Sequence, residues 1–152
     1  MPLTVRPAIT ADLPAIVEYN RRLAWETEHL ELEPATVTAG VIAAIDDPDQ
    51  KGPYFLAVDG DDIVGQLQVT FEWSDWRNGW FWWIQSVYVL ANRRGRGVFR
   101  LLYEHVRTLA RQAGNVVGIR LYVERENRPA QETYRRLGMN EIPFSLMQEL
   151  LS

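Results

Sequence analysis

The chain has 152 residues, 47% of them apolar and 24% charged, with a formal charge of −4. That composition excludes a disordered chain and fits one soluble domain over residues 1–152, able to hold a core without covalent staples. The absence of cysteine excludes disulfides, thiolate metal sites and a cysteine nucleophile. His29 and His105 lack metal-ligand spacing, so no metal site is expected. No apolar run is long enough for a membrane span, and the N-terminal residues do not read as a signal peptide, so the cytoplasm is the expected location.

In chain order, Leu3–Arg6 reads as a short strand. Thr10 is placed to cap a helix with Asp12 in its first turn. Leu13, Ile16, Val17, Leu23 and Ala24 then recur at helical spacing to about Trp25. Pro34 opens a second helix, which the Asp46-Asp47-Pro48-Asp49 run stops. Tyr54–Val58 and Ile63–Trp73 read as strands joined at Asp59-Gly60. Trp80–Val89 follows as a third long strand after a polar turn. Val98, Leu101, Leu102, Val106 and Leu109 make one face of a helix that Gly114-Asn115 ends. Val116–Val123 is a strand, Pro129 to Gly138 bounds a helix, and Phe144–Leu150 is expected to form a last strand. This order predicts an α/β (α+β) domain with a mixed sheet.

Charge is unevenly distributed along the chain. Residues 1–75 hold fourteen acids and four bases, and residues 76–152 hold six acids and twelve arginines. The halves therefore carry −10 and +6, which points to an anionic ligand on the second half and a cationic one on the first.

The most informative segment is the strand–loop–helix around Arg93-Arg94-Gly95-Arg96-Gly97-Val98-Phe99-Arg100. A helix N-terminus offers unpaired N–H groups and partial positive charge, glycine lets a ligand approach the backbone, and arginines add charge. Gly-x-Gly alone reads better as a basic turn. Between a strand and a helix, with arginines at 93, 94, 96 and 100, it reads as a phosphate site. It is not a Walker A loop, since Gly-Lys-Ser/Thr is missing, and it lacks the third glycine of a dinucleotide fingerprint. A second cluster follows the next strand: Asn127 stands where it can cap a helix or bind ligand, and Tyr134 lies on that helix. By itself Tyr134 reads as a core tyrosine; beside a departing thiolate it could serve as general acid.

Val87-Tyr88-Val89 followed by Arg94-Gly95-Arg96-Gly97-Val98 resembles the acetyl-coenzyme A motif Gln/Arg-x-x-Gly-x-Gly/Ala of the GNAT N-acetyltransferase superfamily. Arg94 and Gly97 match, and Phe99 replaces the final small residue. Asn127, Ala130, Tyr134 and Leu137-Gly138 resemble a second signature of the family. The resemblance spans essentially the whole chain. It implies a central mixed, mostly antiparallel twisted sheet flanked by helices, with strands splayed at the cofactor site. It implies acetyl-CoA as co-substrate, with the pantetheine arm pairing backbone near Val87 and Val89 and the pyrophosphate held by N–H groups from Gly95 to Arg100. Asn127 would contact the cofactor arm, and Tyr134 would protonate the coenzyme A thiolate. The acceptor amine attacks the thioester directly while a backbone N–H polarises the carbonyl. The lack of cysteine agrees with direct transfer.

At the position where many family members carry a glutamate base, this chain has Gln85. Glu72 on the neighbouring strand is the first candidate to replace it, followed by Glu26, Glu28 and Asp75. Five of the six tryptophans lie in residues 73–83. Trp80 and Trp82 face one side of the strand and Phe81 and Trp83 the other, as core, pocket wall or dimer patch. With the acidic first half, they suggest a small cationic or aromatic primary amine as acceptor. A homodimer is a further expectation, since dimers are common in the family. The alternative function is a non-catalytic acyl-CoA-binding sensor or regulatory module of the same fold. Nucleic-acid binding is disfavoured by the acidic pI of about 5.2.

Overall fold

A computed structural model describes residues 2–152. The backbone divides into two compact units, one running to Tyr122 and the other comprising Val123–Ser152.

The first unit holds strands β1 (Leu3–Pro7), β2 (Tyr54–Asp59), β3 (Asp62–Ser74), β4 (Gly79–Val89) and β5 (Val116–Leu121) and helices α1 (Leu13–Glu28), α2 (Pro34–Asp46), α3 (Pro48–Lys51) and α4 (Val98–Ala113). The sheet order is β1-β2-β3-β4-β5. The first three pairings are antiparallel and β4–β5 is parallel, so the sheet is mixed and mostly antiparallel, as expected. Only a crossover can join parallel neighbours, and α4 is that crossover.

Cross-strand register assigns the two faces. Tyr54, Leu56 and Val58 pack with Ile16 of α1 and Val41 and Ala44 of α2. The opposite face carries Phe55, whose ring lies 5.3 Å from that of His105 on α4. Gly65 marks the closest approach of α4: a Cβ there would stand 2.8 Å from Val98 Cγ1. The fully buried Leu67, Val69, Leu102 and Val106 complete the interior.

Several details differ from expectation. Thr10 does not cap α1; it opens a single 3-10 turn, Thr10–Asp12. Asp12 has the stabilising role, because its carboxylate accepts from Ile9 N at 2.8 Å and from both Arg6 amino nitrogens at 2.7 and 2.9 Å. Helix α1 also outlasts its apolar pattern, running to Glu28 before His29 ends it with φ 50°. A single helical turn at Pro48–Lys51 replaces a plain stop.

The Asp12 contacts carry a prediction. Asp12 is buried, and the Arg6 hydrogen bonds hold its carboxyl below the ordinary 3.8. Its contribution is therefore complete above about pH 4 and is lost as pH falls through the depressed folded value. Asp12→Ala is expected to cost about 2 kcal/mol at pH 7, the scale of charge-assisted hydrogen bonds, and the difference from wild type should shrink in acid. Urea titrations at pH 7 and pH 3 measure both.

The second unit holds helix α5 (Arg128–Arg136). Asn127 caps it by accepting from Ala130 N at 3.2 Å, and Gly138 lies beyond its end with φ 102°. The expected strand at Phe144–Leu150 does not form. Its residues are in irregular backbone, with Phe144 80% and Met147 91% exposed. Alternation alone does not make a strand; hydrogen bonds to a partner strand are also needed.

Candidate acyl-transfer site

Strand β4 outlasts its partner. The parallel register runs from Trp80↔Val116 to Ile84↔Leu121 and stops, while β4 continues to Val89. Gln85–Val89 thus pass beyond β5 still bonded to β3 on the other side. Here Gln66 pairs Tyr88 and Gln68 pairs Gln85, so Leu67 alone opposes Ser86 and Val87. That two-against-one count is a β-bulge, and Ser86 absorbs it at φ 52°. Past Ile84 no strand among the described residues pairs with that edge of β4, and such a stretch of backbone suits an extended ligand arm.

The strand leads into a 3-10 turn at Ala91–Arg93 and then the glycine loop. Gly95 and Gly97 have φ 75° and 81°, and an added Cβ at either would meet nothing within 4 Å. Glycine is therefore required by conformation and not by crowding. Gly97 is the N-cap of α4 and offers no side-chain cap. The start of a sixteen-residue helix carries the positive end of its dipole, which suits an anion. Val98 is buried at the helix start, and the Phe99 ring lies 6.0 Å from Tyr103.

The arginines divide by partner. Arg93 pairs with Asp59 at 2.7 Å, Arg100 with Glu104 at 3.0 Å, and Arg96 is exposed on the loop. Arg94 donates to Val89 O at 2.9 Å and to Glu26 Oε1 at 2.8 Å, and its guanidinium stands 5.3 Å from the Tyr88 ring centroid. The Tyr88 hydroxyl donates to the other Glu26 oxygen at 2.6 Å. Tyr88 itself is buried and 5.2 Å from the Tyr19 ring, so its backbone and not its side chain faces the edge of β4 past Ile84. Hydrogen bonds from Tyr88 and Arg94 hold the Glu26 carboxyl below its ordinary range, which suits an ion pair better than proton abstraction. Burial, reinforced by Glu26, raises the Tyr88 phenol. The Glu26–Arg94 link fastens α1 to the glycine loop across 68 positions of sequence.

Glu72 lies elsewhere on the same sheet face as Gln85, at the position pairing Phe81, about 13 Å along the strand. Its Oε1 accepts from Trp83 Nε1 and from Arg120 Nη1, both at 3.0 Å. The Arg120 guanidinium covers the Phe81 ring at 3.6 Å, and Tyr122 covers Trp83 at 4.6 Å between centroids. Gln85 donates to Thr70 Oγ1 at 3.4 Å. On the other face Trp80 meets Phe71 and Trp73 edge-on at 6.5 and 5.1 Å. The alternation of Trp80/Trp82 against Phe81/Trp83 follows the expected register. Trp76, in the hairpin turn, is 90% exposed. Glu28 and Asp75 are exposed, Asp75 accepting from Trp76 N.

Asn127 and Tyr134 belong to the second unit and share α5. Burial raises the Tyr134 phenol, so it remains protonated at neutral pH. Two surface hollows, of about 260 and 270 Å3, lie apart from the glycine loop; one is lined by His105 and Thr108, the other by Pro48 and Phe71. Asn20, Tyr54 and Gln66 gather beneath the bulge through hydrogen bonds across 34 and 46 positions of sequence. No local pattern announces such a cluster.

Comparison with known proteins agrees with this geometry. A search of curated protein sequences gave no match. Among solved structures, a protein of Clostridium difficile 630 described as a possible acetyltransferase is 40% identical, with TM-score 0.90, over 100% of this chain and 99% of its own. A Clostridium acetobutylicum protein described as a predicted acetyltransferase, solved with acetyl-CoA, is 17% identical with TM-score 0.77, covering 97% and 96%. AAC(6')-Iy, solved with the bisubstrate analogue CoA-S-monomethyl-acetylneamine, is 15% identical with TM-score 0.78, covering both chains fully. The last two share the fold. The acetyltransferase (GNAT) family model matches residues 17–139, and the chain belongs to the GNAT acetyltransferase family.

Proposed function

We propose that residues 1–152 act as one N-acetyltransferase domain that moves an acetyl group from acetyl-CoA directly to a primary amine. The glycine start of α4, with Gly95 and Gly97 at positive φ and no side-chain cap, follows the stretch of β4 that runs past β5, and this is the observation that carries the reading. Backbone N–H groups from Gly95 to Arg100 would hold the pyrophosphate, with Arg96 adding charge. Val87 and Val89 would pair the pantetheine arm, and Asn127 would contact it. Bound acetyl-CoA supplies an activated acyl group. The amine nitrogen forms a bond to the carbonyl carbon and the carbon–sulfur bond breaks. Tyr134 gives its proton to the departing thiolate. The proton of the amine passes along water to Glu72, about 13 Å along the strand from Gln85, at the carboxylate oxygen that Trp83 and Arg120 do not use.

We propose a small cationic or aromatic acceptor. The acids of the first half and the aromatic face of Phe81, Trp83 and Tyr122 support it, since aromatic rings and carboxylates attract ammonium groups. The bisubstrate analogue bound by AAC(6')-Iy points the same way. The cytoplasm is proposed as its place; among the described residues no helix is long and apolar enough to cross a membrane. Thiol release from acetyl-CoA across an amine library tests the reading. A preference for acidic acceptors would overturn the acceptor class.

The acyl-CoA sensor remains the second reading because Gln85 cannot act as a base. Tight coenzyme A binding without turnover would favour it. A homodimer is also proposed, since Phe144, Leu146, Met147 and Leu150 are all exposed within a few positions of sequence, and clustered exposed apolar side chains mark interaction sites. Light scattering should give twice the chain mass, and a chain ending at Asn140 should give the single mass.

A further inference from the structure

Directly beneath the bulge lies a closed set of buried polar groups. Gln66 is fully buried, and its side-chain nitrogen donates to Ser86 O and to Asn20 Oδ1, each at 3.0 Å. Asn20 in turn donates to the Tyr54 hydroxyl at 3.1 Å, and the Ser86 side chain reaches toward that same hydroxyl. Both ends of the set thus close on Ser86, the residue held at φ 52°. The Gln66 side-chain oxygen is buried with no partner.

This arrangement is costly as a way to fill a core. A buried amide must be hydrogen-bonded throughout to match an apolar side chain, and this one is not. Ser86 also holds a conformation that a serine seldom adopts. What the set does control is one peptide plane. In a trans peptide the carbonyl and the N–H point in opposite directions. With Ser86 O drawn inward to Gln66, the N–H of Val87 is aimed away from Gln66. A rotation of that plane would break the Gln66 bond and turn Val87 N–H elsewhere.

We propose that Gln66, braced by Asn20 and Tyr54, is a positioning residue that fixes the Ser86–Val87 peptide so that Val87 N–H meets the thioester carbonyl oxygen of acetyl-CoA. The proposal rests on the acetyl-transfer reading above. A donor already oriented in a site without mobile water stabilises the negative charge that grows on that oxygen as the amine attacks. The N–H only donates a hydrogen bond and transfers no proton. The carbonyl is restored when the carbon–sulfur bond breaks.

Gln66→Met keeps similar volume and removes the donor. It should lower kcat for thiol release by about tenfold, part of what losing a whole oxyanion donor costs. KM for acetyl-CoA should stay within about twofold, because binding of the nucleotide end is untouched. The second readout needs no acceptor. In wild type, the Val87 amide proton resonance should move downfield with acetyl-CoA relative to free coenzyme A, and in Gln66→Met that difference should vanish. Tyr54→Phe, which removes one hydroxyl from the brace, should show both effects at smaller size and stands in if Gln66→Met does not fold. An unchanged Val87 difference in the variants, or equal losses in kcat and coenzyme A affinity, would overturn the proposal. If wild type releases no thiol with any amine, the acetyl-transfer reading fails, while the resonance comparison still decides the role of Gln66.

Discussion

Tyr134→Phe should lower kcat for thiol release from acetyl-CoA by about a hundredfold or more, the scale of a positioned general acid. Coenzyme A affinity should remain within about threefold, because the ring and its packing are kept. Burial holds the phenol above its ordinary 10.0, so the proton that the proposed acid would give is present throughout the neutral range. The sign follows for pH. The active form is the protonated one, a raised value extends it upward, and the alkaline fall of kcat caused by this group should lie above pH 10. In the phenylalanine variant that fall should be absent. Steady-state kinetics with a thiol reagent measures both, and unchanged turnover would remove Tyr134 from the mechanism.

Gly97→Val should cut coenzyme A affinity by at least tenfold. Gly97 adopts φ 81°. A left-handed conformation costs an L-residue about 1–2 kcal/mol, and a β-branched one suffers more because its first torsion is also constrained. Space is not the cause, since a Cβ would meet nothing within 4 Å. The loop escapes the strain by rotating, and rotation turns the first N–H groups of α4 away from where a pyrophosphate would sit. Gly97→Asn is the control, because asparagine tolerates this region, and it should stay within a few-fold of wild type. Calorimetric titration with coenzyme A reads both variants. Equal affinity in the valine variant would show that the loop does not hold the phosphates.

What the residues reveal unaided depends on how local the cause is. The apolar spacing from Val98 to Leu109 is set within one helix, and α4 begins and ends as expected at Val98 and Ala113. The alternation of Trp80 to Trp83 and the hairpin at Gly60 are equally local. Those elements with the glycine loop between them were enough to point to the family. Ser86 is different. Nothing in Gln85-Ser86-Val87 signals a left-handed serine, because the bulge arises from register with β3 and is braced by Asn20 on α1. The partners of Glu26 and Glu72 are likewise set by the fold, Arg94 and Arg120 standing 68 and 48 positions away. Phe144–Leu150 shows the reverse error, in which a strand-like pattern forms no strand among the described residues.

The decisive measurement is incubation of the pure protein with acetyl-CoA and a library of cationic, aromatic and acidic amines, following free thiol and the mass of each amine. Acetyl transfer predicts thiol release that depends on amine, matched by an equal amount of acetylated product, with cationic or aromatic amines preferred. Coenzyme A binding with no thiol release above the amine-free rate, across the whole library, would contradict it.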